Sequence, residues 1–329
     1  MICADFPVIY STLSAIAIAE RVLPLFGLVN VERCELWHRG LSDIYLVHTP
    51  GGLYVLRISH NHWRSQTEIY FELDFLNFLA AKDIPVAAPL PTKEGDFAIE
   101  IKAPEGDRYA TLFPFAPGGI ALGGWTVEQS RQLGEVVAQI HLVSQEFCCV
   151  HPRQPLNLDY LLDESMEMIL PFFGDRPKDL HFLQEATWKI RDKLAEFSQE
   201  SPFWSVCWGD AHSGNVHFTA DQKLTLFDFD QCGYGWRAFE IGKFFQAALS
   251  TGMRRNVREA FVLGYNSQTT FTSEEENALQ FLTQLAYIWS WRISLQNILL
   301  FNNSQLDHHY LTQRLERLKA LCTPDWQLF

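Results

Sequence analysis

Several familiar signatures are missing from the 329 residues, and each absence removes a class of function. There is no G-x-x-x-x-G-K-[ST] and no G-x-G-x-x-G, which argues against a P-loop enzyme and a Rossmann dehydrogenase. Ser213 sits in His-Ser-Gly without a G-x-S-x-G elbow, so a serine hydrolase is not expected. His212, His217, His308 and His309 form no H-x-x-x-H or H-E-x-x-H arrangement with a third ligand, the pattern a zinc centre needs. Cysteines at 3, 34, 148, 149, 207, 232 and 322 form neither a C-x-x-C pair nor a disulfide framework, and a reducing cytoplasm suits them.

Cations are also scarce, 26 Lys and Arg against 39 Asp and Glu, a formal charge of −13. A binder of phosphate backbones carries clustered Lys and Arg to displace counterions, so no nucleic-acid partner is expected. A solvated acidic surface accounts for most of this charge, and it would favour a cationic substrate only if the carboxylates lined a cleft. The apolar stretch from Leu13 to Val29 is interrupted by Glu20 and Arg21 and has nothing basic before it. It reads as an amphipathic helix rather than a signal or a membrane span.

What remains is a globular composition, 47% apolar and 20% charged, on a chain longer than one core usually fills. From Cys34 to Ser59, short apolar runs alternate with turn residues, which predicts a three-stranded antiparallel meander. Ile69, Leu73, Leu76 and Ala80 then recur at helical spacing, so the segment from Arg64 to Ala80 should lay one apolar face on that sheet. Two more strand-like runs, FAIEIK and YATLFPF, bring the sheet to five strands, and Pro117-Gly118-Gly119 breaks the pattern. Helical patterns dominate afterwards, at 126–144, 180–197, 237–250 and 273–300. The expected fold is α+β and bilobal, with a β-rich lobe over 1–113 and a larger, mainly helical lobe over 114–329.

One island of β and turn character interrupts the helical part, between Ser205 and Asp230. Val216–Thr219 and Leu224–Phe227 read as a hairpin closed by Ala220–Lys223. Asn215 precedes its first strand and Asp228 follows its second, so antiparallel pairing brings the two to one end, with backbones roughly 5 Å apart. An amide oxygen and a carboxylate there can share a hard cation, and Mg²⁺ is commonly held by one or two such groups plus substrate phosphates. Asp210 precedes Asn215 by five residues, the D-x-x-x-x-N spacing in which an Asp orients an attacking hydroxyl and accepts its proton. Singly, Asp and Asn are ordinary turn formers and caps. Their joint spacing around a hairpin, with Gly209 and Gly214 permitting tight turns, points to chemistry.

W-G-D-A-H-S-G-N followed by L-F-D-F-D resembles the H-G-D-x-H-x-x-N and I-D-[FW] motifs of the aminoglycoside phosphotransferase and choline kinase-like family, of protein-kinase-like fold. The likeness extends to Ile84–Pro91, the helix from Leu133 to His141, and Gly233–Gly242, and is nearest to the stress-response kinase and type II homoserine kinase branches. It implies ATP as co-substrate, bound between the lobes, and transfer of its γ-phosphoryl group to a hydroxyl. It further implies Asp210 as catalytic base and Asn215 and Asp228 as Mg²⁺ ligands. Arg57 falls where the family places a phosphate-binding Lys, and Glu72 where the helix supplies its partner. Ser42, in the turn Arg39–Asp43, takes the position of a glycine-rich loop, and Thr111 and Phe113 belong to a hinge, Thr111–Phe115, whose backbone would bind adenine.

This chain departs from the family pattern at two positions. Arg57 replaces Lys, a guanidinium being larger and planar, and Trp208 stands where the motif has His, able to pack but unable to make the same hydrogen bonds. Trp289 and Trp291 read as core residues, with an aromatic wall for a cationic acceptor as the other reading. The acceptor is expected to be a small molecule, an amino alcohol or a homoserine-like or aminoglycoside-like compound. A protein Ser/Thr substrate and a catalytically weak nucleotide-binding protein are the alternatives.

Overall fold

The computed structural model describes residues 7–121, 124–301 and 303–328, and Cys3 lies outside them. The other six cysteines are free thiols. Among the described residues no helix is long and apolar enough to cross a membrane. The chain divides into two compact units, Met1–Ala81 with Val86–Ala116 and Cys149–Pro152, and Lys82–Pro85 with Pro117–Cys148 and Arg153–Phe329.

The first unit opens with α1 (Ala15–Arg21), capped by the Ser14 hydroxyl, which accepts from the Ala17 N–H. The expected helix over 13–29 is shorter than its apolar run: a 3₁₀ turn at Leu23–Phe26 follows, and Gly27, in the left-handed region at φ 84°, ends it. Then come β1 (Arg33–Arg39), β2 (Ser42–Thr49), β3 (Gly52–Ser59), α2 (Gln66–Ala81), β4 (Ile99–Ala103) and β5 (Gly106–Pro114). The sheet is antiparallel in the order β1-β2-β3-β5-β4. Alternation along the strands sends Tyr45, Val47, Leu56, Ile58 and Leu112 to one face, where Ile18, Leu23 and Phe26 cover them. Ile69 and Leu73 of α2 pack with Ala98, Tyr109 and Phe113 in a second cluster. Burying each large aliphatic side chain contributes about 1.5–3 kcal/mol.

The second unit is built on α3 (Val127–Val143), α4 (Glu164–Ile169), α5 (Pro177–Leu194), α6 (Arg237–Ser250), α7 (Arg255–Gln268), α8 (Ser273–Phe301) and α9 (His308–Leu321). A reciprocal capping box between Thr126 and Gln129 starts α3. α3 and α7 touch backbone to backbone: a Cβ on Gly134 would lie 2.0 Å from the Phe261 carbonyl oxygen. Two small ladders sit among the helices, β6 (Trp204–Cys207) with β9 (Gly233–Trp236), and β7 (Val216–Phe218) with β8 (Leu224–Leu226). The hairpin is the one expected from the sequence. The β6–β9 ladder was not, and it does the positioning, because Cys207 opposes Gly233 and so holds the residues after 207 beside those before 233.

Candidate active site

The loop that leaves β6 carries Trp208, Gly209 and Asp210, and contacts from the 228–231 segment and from α6 fix it. Gly209 has φ 82°, and a Cβ there would sit 2.2 Å from the Gln231 carbonyl oxygen, so the position demands glycine on both counts. Its N–H donates to both carboxylate oxygens of Glu240, in the first turn of α6, at 3.1 Å. Trp208 is fully buried, stacks on Phe229 with ring centroids 5.3 Å apart, and donates its indole N–H to the Asp228 carbonyl at 2.9 Å.

Asp210 is 9% exposed, and cationic or polar donors surround its carboxylate. Lys243 Nζ, from α6, lies 3.1 Å from Oδ1. Asn215 Nδ2 donates to Oδ2 at 3.1 Å and to the Asp210 carbonyl at 3.3 Å. His212 Nδ1 accepts the Gly214 N–H at 2.9 Å, which leaves the ring proton on Nε2, 3.3 Å from Oδ2. Burial pushes the Asp210 carboxyl up, but Lys243 and His212 outweigh it and hold it well below the usual carboxylate range. The group is a carboxylate at neutral pH.

Because both Asn215 amide hydrogens are directed at Asp210, its Oδ1 is turned the other way, and no protein donor reaches that oxygen among the described residues. Asp228 follows closely. The ladder pairs Val216 with Leu226, and the Phe227 N–H donates to the Asn215 carbonyl at 3.1 Å. Asn215 therefore opposes Phe227, and Asp228 stands one residue beyond the position expected from simple pairing. It is exposed and takes the left-handed conformation, φ 59°. An outward amide oxygen and an exposed carboxylate form a hard-oxygen donor set that fits Mg²⁺.

In the first unit, Arg57 of β3 and Glu72 of α2 form a two-pronged ion pair, both N–O distances 2.7 Å, with both residues buried. The Arg57 guanidinium stacks 5.1 Å from the Phe113 ring, and Thr111 opposes Arg57 in the β3–β5 ladder. Ser42 starts β2 opposite Ser59 and is buried. The β1–β2 turn closes tightly over Gly40 and Leu41, with Arg39 paired to Asp43, so it forms no extended glycine-rich loop.

Lys243 and Glu240 escaped the sequence reading. Their signal was two opposite charges three residues apart inside the apolar run Arg237–Ser250, both of them buried. Trp289 and Trp291 are buried in the core, and Trp289 donates to Gln231 Oε1 at 3.1 Å.

A carboxylate beside an amide oxygen and a second carboxylate on a hairpin is a donor set compatible with phosphoryl transfer. Residues 34–279 match the model of the phosphotransferase enzyme family, and the chain belongs to that family. It is a kinase of protein-kinase-like fold. An uncharacterized protein of Synechocystis sp. is 50% identical over 324 residues, 98% of this chain and 90% of that relative. The structure of amicoumacin kinase hAmiN in complex with AMP-PNP, Ca²⁺ and Ami is similar with a TM-score of 0.75 at 19% identity, covering 93% of this chain and 95% of that one. A microcompartment-associated aminopropanol kinase is similar with the same TM-score, identity and coverage.

Proposed function

We propose that the chain transfers the γ-phosphoryl group of ATP to the hydroxyl of a small molecule, with Asp210 orienting that hydroxyl and receiving its proton. The observation that carries this reading is the fixed Asp210 carboxylate, with Lys243 3.1 Å from Oδ1 and the Asn215 amide nitrogen 3.1 Å from Oδ2. Donors held in place before reaction supply catalysis without reorganisation. Asn215 and Asp228 would hold Mg²⁺, which neutralises phosphate charge when bound. Arg57, kept in position by Glu72, serves as a phosphate-binding cation, with Ser42, Thr111 and Phe113 as further nucleotide-binding residues. A small acceptor is supported by the solved structures of similar fold named as kinases of amicoumacin and aminopropanol.

Transfer of label from γ-labelled ATP, screened over amino alcohols, homoserine, aminoglycosides, sugars and generic protein substrates, tests the reading. A labelled small molecule is the expected product, and label on protein alone would contradict the acceptor class. Asp210→Asn should lower transfer about 10²–10⁴-fold while the nucleotide still binds. Substantial turnover by that variant would remove Asp210 from the proposed role.

A further inference from the structure

Lys243 is an expensive residue to bury. It is 5% exposed, and an ammonium out of water costs several kcal/mol unless it is compensated. A well-packed apolar side chain on this face of α6 would serve stability at least as well. Its partners are Asp210 Oδ1 at 3.1 Å and the Ser290 hydroxyl of α8 at 2.9 Å. Ser290 in turn donates to Gln246 Oε1 at 3.1 Å, so its lone pairs face the lysine. An ammonium has three donors, and among the described residues no protein acceptor takes the third.

The Asp210 carboxylate shows a matching opening. Oδ2 already accepts from Asn215 Nδ2 and faces His212 Nε2, whereas among the described residues Oδ1 faces Lys243 alone. Each carboxylate oxygen has two lone pairs, so an incoming hydroxyl has its vacancy on Oδ1. Two donors sharing one oxygen at about 3 Å each lie roughly 4–5 Å apart. A group being bonded to that hydroxyl oxygen is then within reach of the third N–H of Lys243.

We propose that Lys243 is a catalytic residue, donating its third N–H to a non-bridging oxygen of the phosphoryl group in transit. This rests on the phosphotransferase reading of the same site. In the step, the acceptor oxygen bonds to the γ-phosphorus, and the bond from phosphorus to the β,γ-bridging oxygen breaks. That bond's electron pair leaves with ADP, the hydroxyl proton passes to Asp210 Oδ1, and Lys243 keeps its three protons. The lysine lowers the basicity of Asp210, which a strong general base could not tolerate. Phosphoryl transfer with a loose transition state tolerates it, because charge on the transferring oxygens matters more there than early proton removal.

The test does not need the acceptor to be known. Binding of MgADP alone, and of MgADP with aluminium fluoride as a planar mimic of the phosphoryl group, is measured by calorimetry on the full chain. Asp210→Asn is compared with the double variant Asp210→Asn/Lys243→Met, so that no carboxylate is left buried without its cation. Expected is a loss of tenfold or more for the fluoride complex on removing Lys243, with MgADP changed by less than about twofold. Equal loss of both, or loss of neither, overturns the proposal. Lys243→Arg, which keeps the charge, should retain part of the fluoride affinity, and an arginine variant no better than methionine also counts against a charge-donating role. Failure of the unmodified chain to bind MgADP at all is a different result, which sinks the phosphotransferase reading and this inference with it.

Discussion

The indole N–H of Trp208 donates to the backbone carbonyl of Asp228 across 2.9 Å, joining the loop that bears Asp210 to the exposed Asp228. A histidine at this position would be smaller and would lose the stacking area on Phe229. Trp208→Phe keeps an aromatic ring and removes the donor. We expect a loss of about 1–2 kcal/mol in denaturation and a higher Mg²⁺ concentration for half-maximal activity, since Asp228 loses one of its restraints.

The cation site proposed at Asn215 and Asp228 would combine one neutral oxygen with one charged oxygen. Asp228→Ala should raise the Mg²⁺ requirement for nucleotide binding more than Asn215→Ala does. Asn215→Ala should also lower kcat, because the amide nitrogen orients Asp210. Titration of nucleotide affinity against Mg²⁺, followed by fluorescence, checks both. Equal, purely structural losses in the two variants would contradict the ligand assignment.

Arg57 and Glu72 neutralise each other within the first unit, and neither can be removed cheaply. Glu72→Ala leaves the guanidinium buried without its carboxylate and should cost about 3–5 kcal/mol by chemical denaturation. Arg57→Lys keeps a charge but loses the two-pronged geometry, so the stability loss should be smaller while KM for ATP rises on the order of tenfold.

Asp43 gives the fold a dependence on acid. The buried carboxylate faces Arg108 at 2.8 Å, His60 at 3.5 Å and the Tyr10 hydroxyl at 2.5 Å. Arg39 approaches it as well, at 3.2 Å. Burial alone would raise its pKa, but His60, Arg108 and Tyr10 hold it well below the usual carboxylate range. A depressed folded-state pKa means stability that is fully present above the unfolded value, near 3.9, and that drains away as pH falls below it. Melting temperature should therefore drop between about pH 4 and pH 3, and Asp43→Asn, less stable at pH 7, should show a shallower drop over that window.

Local signals were legible in the sequence because their causes are local. The 216–226 hairpin follows from short alternating strands around Ala220–Lys223, and α2 follows from Ile69, Leu73 and Leu76 at helical spacing. The one-residue offset of Asp228 was not legible: its left-handed backbone sits where Trp208, from the other ladder, meets its carbonyl. The β6–β9 pairing was hidden for the same reason, its strands being four residues each with the whole hairpin between them. Lys243 and Glu240 stand three residues apart in the chain, and nothing local tells where their side chains point. Only the fold shows that both side chains turn inward, one to the Gly209 N–H and the other to the Asp210 carboxylate.

That division of labour on α6 has an evolutionary corollary. One turn of helix reads two successive residues of a loop lying far upstream in the chain, so loop and helix cannot be inherited separately without loss. A recombination joint placed between Asp230 and Arg237 would splice a loop to a helix that never matured with it, yielding folded but inert hybrids. Joints placed ahead of Trp204 or beyond Ser250 would carry the pair across intact.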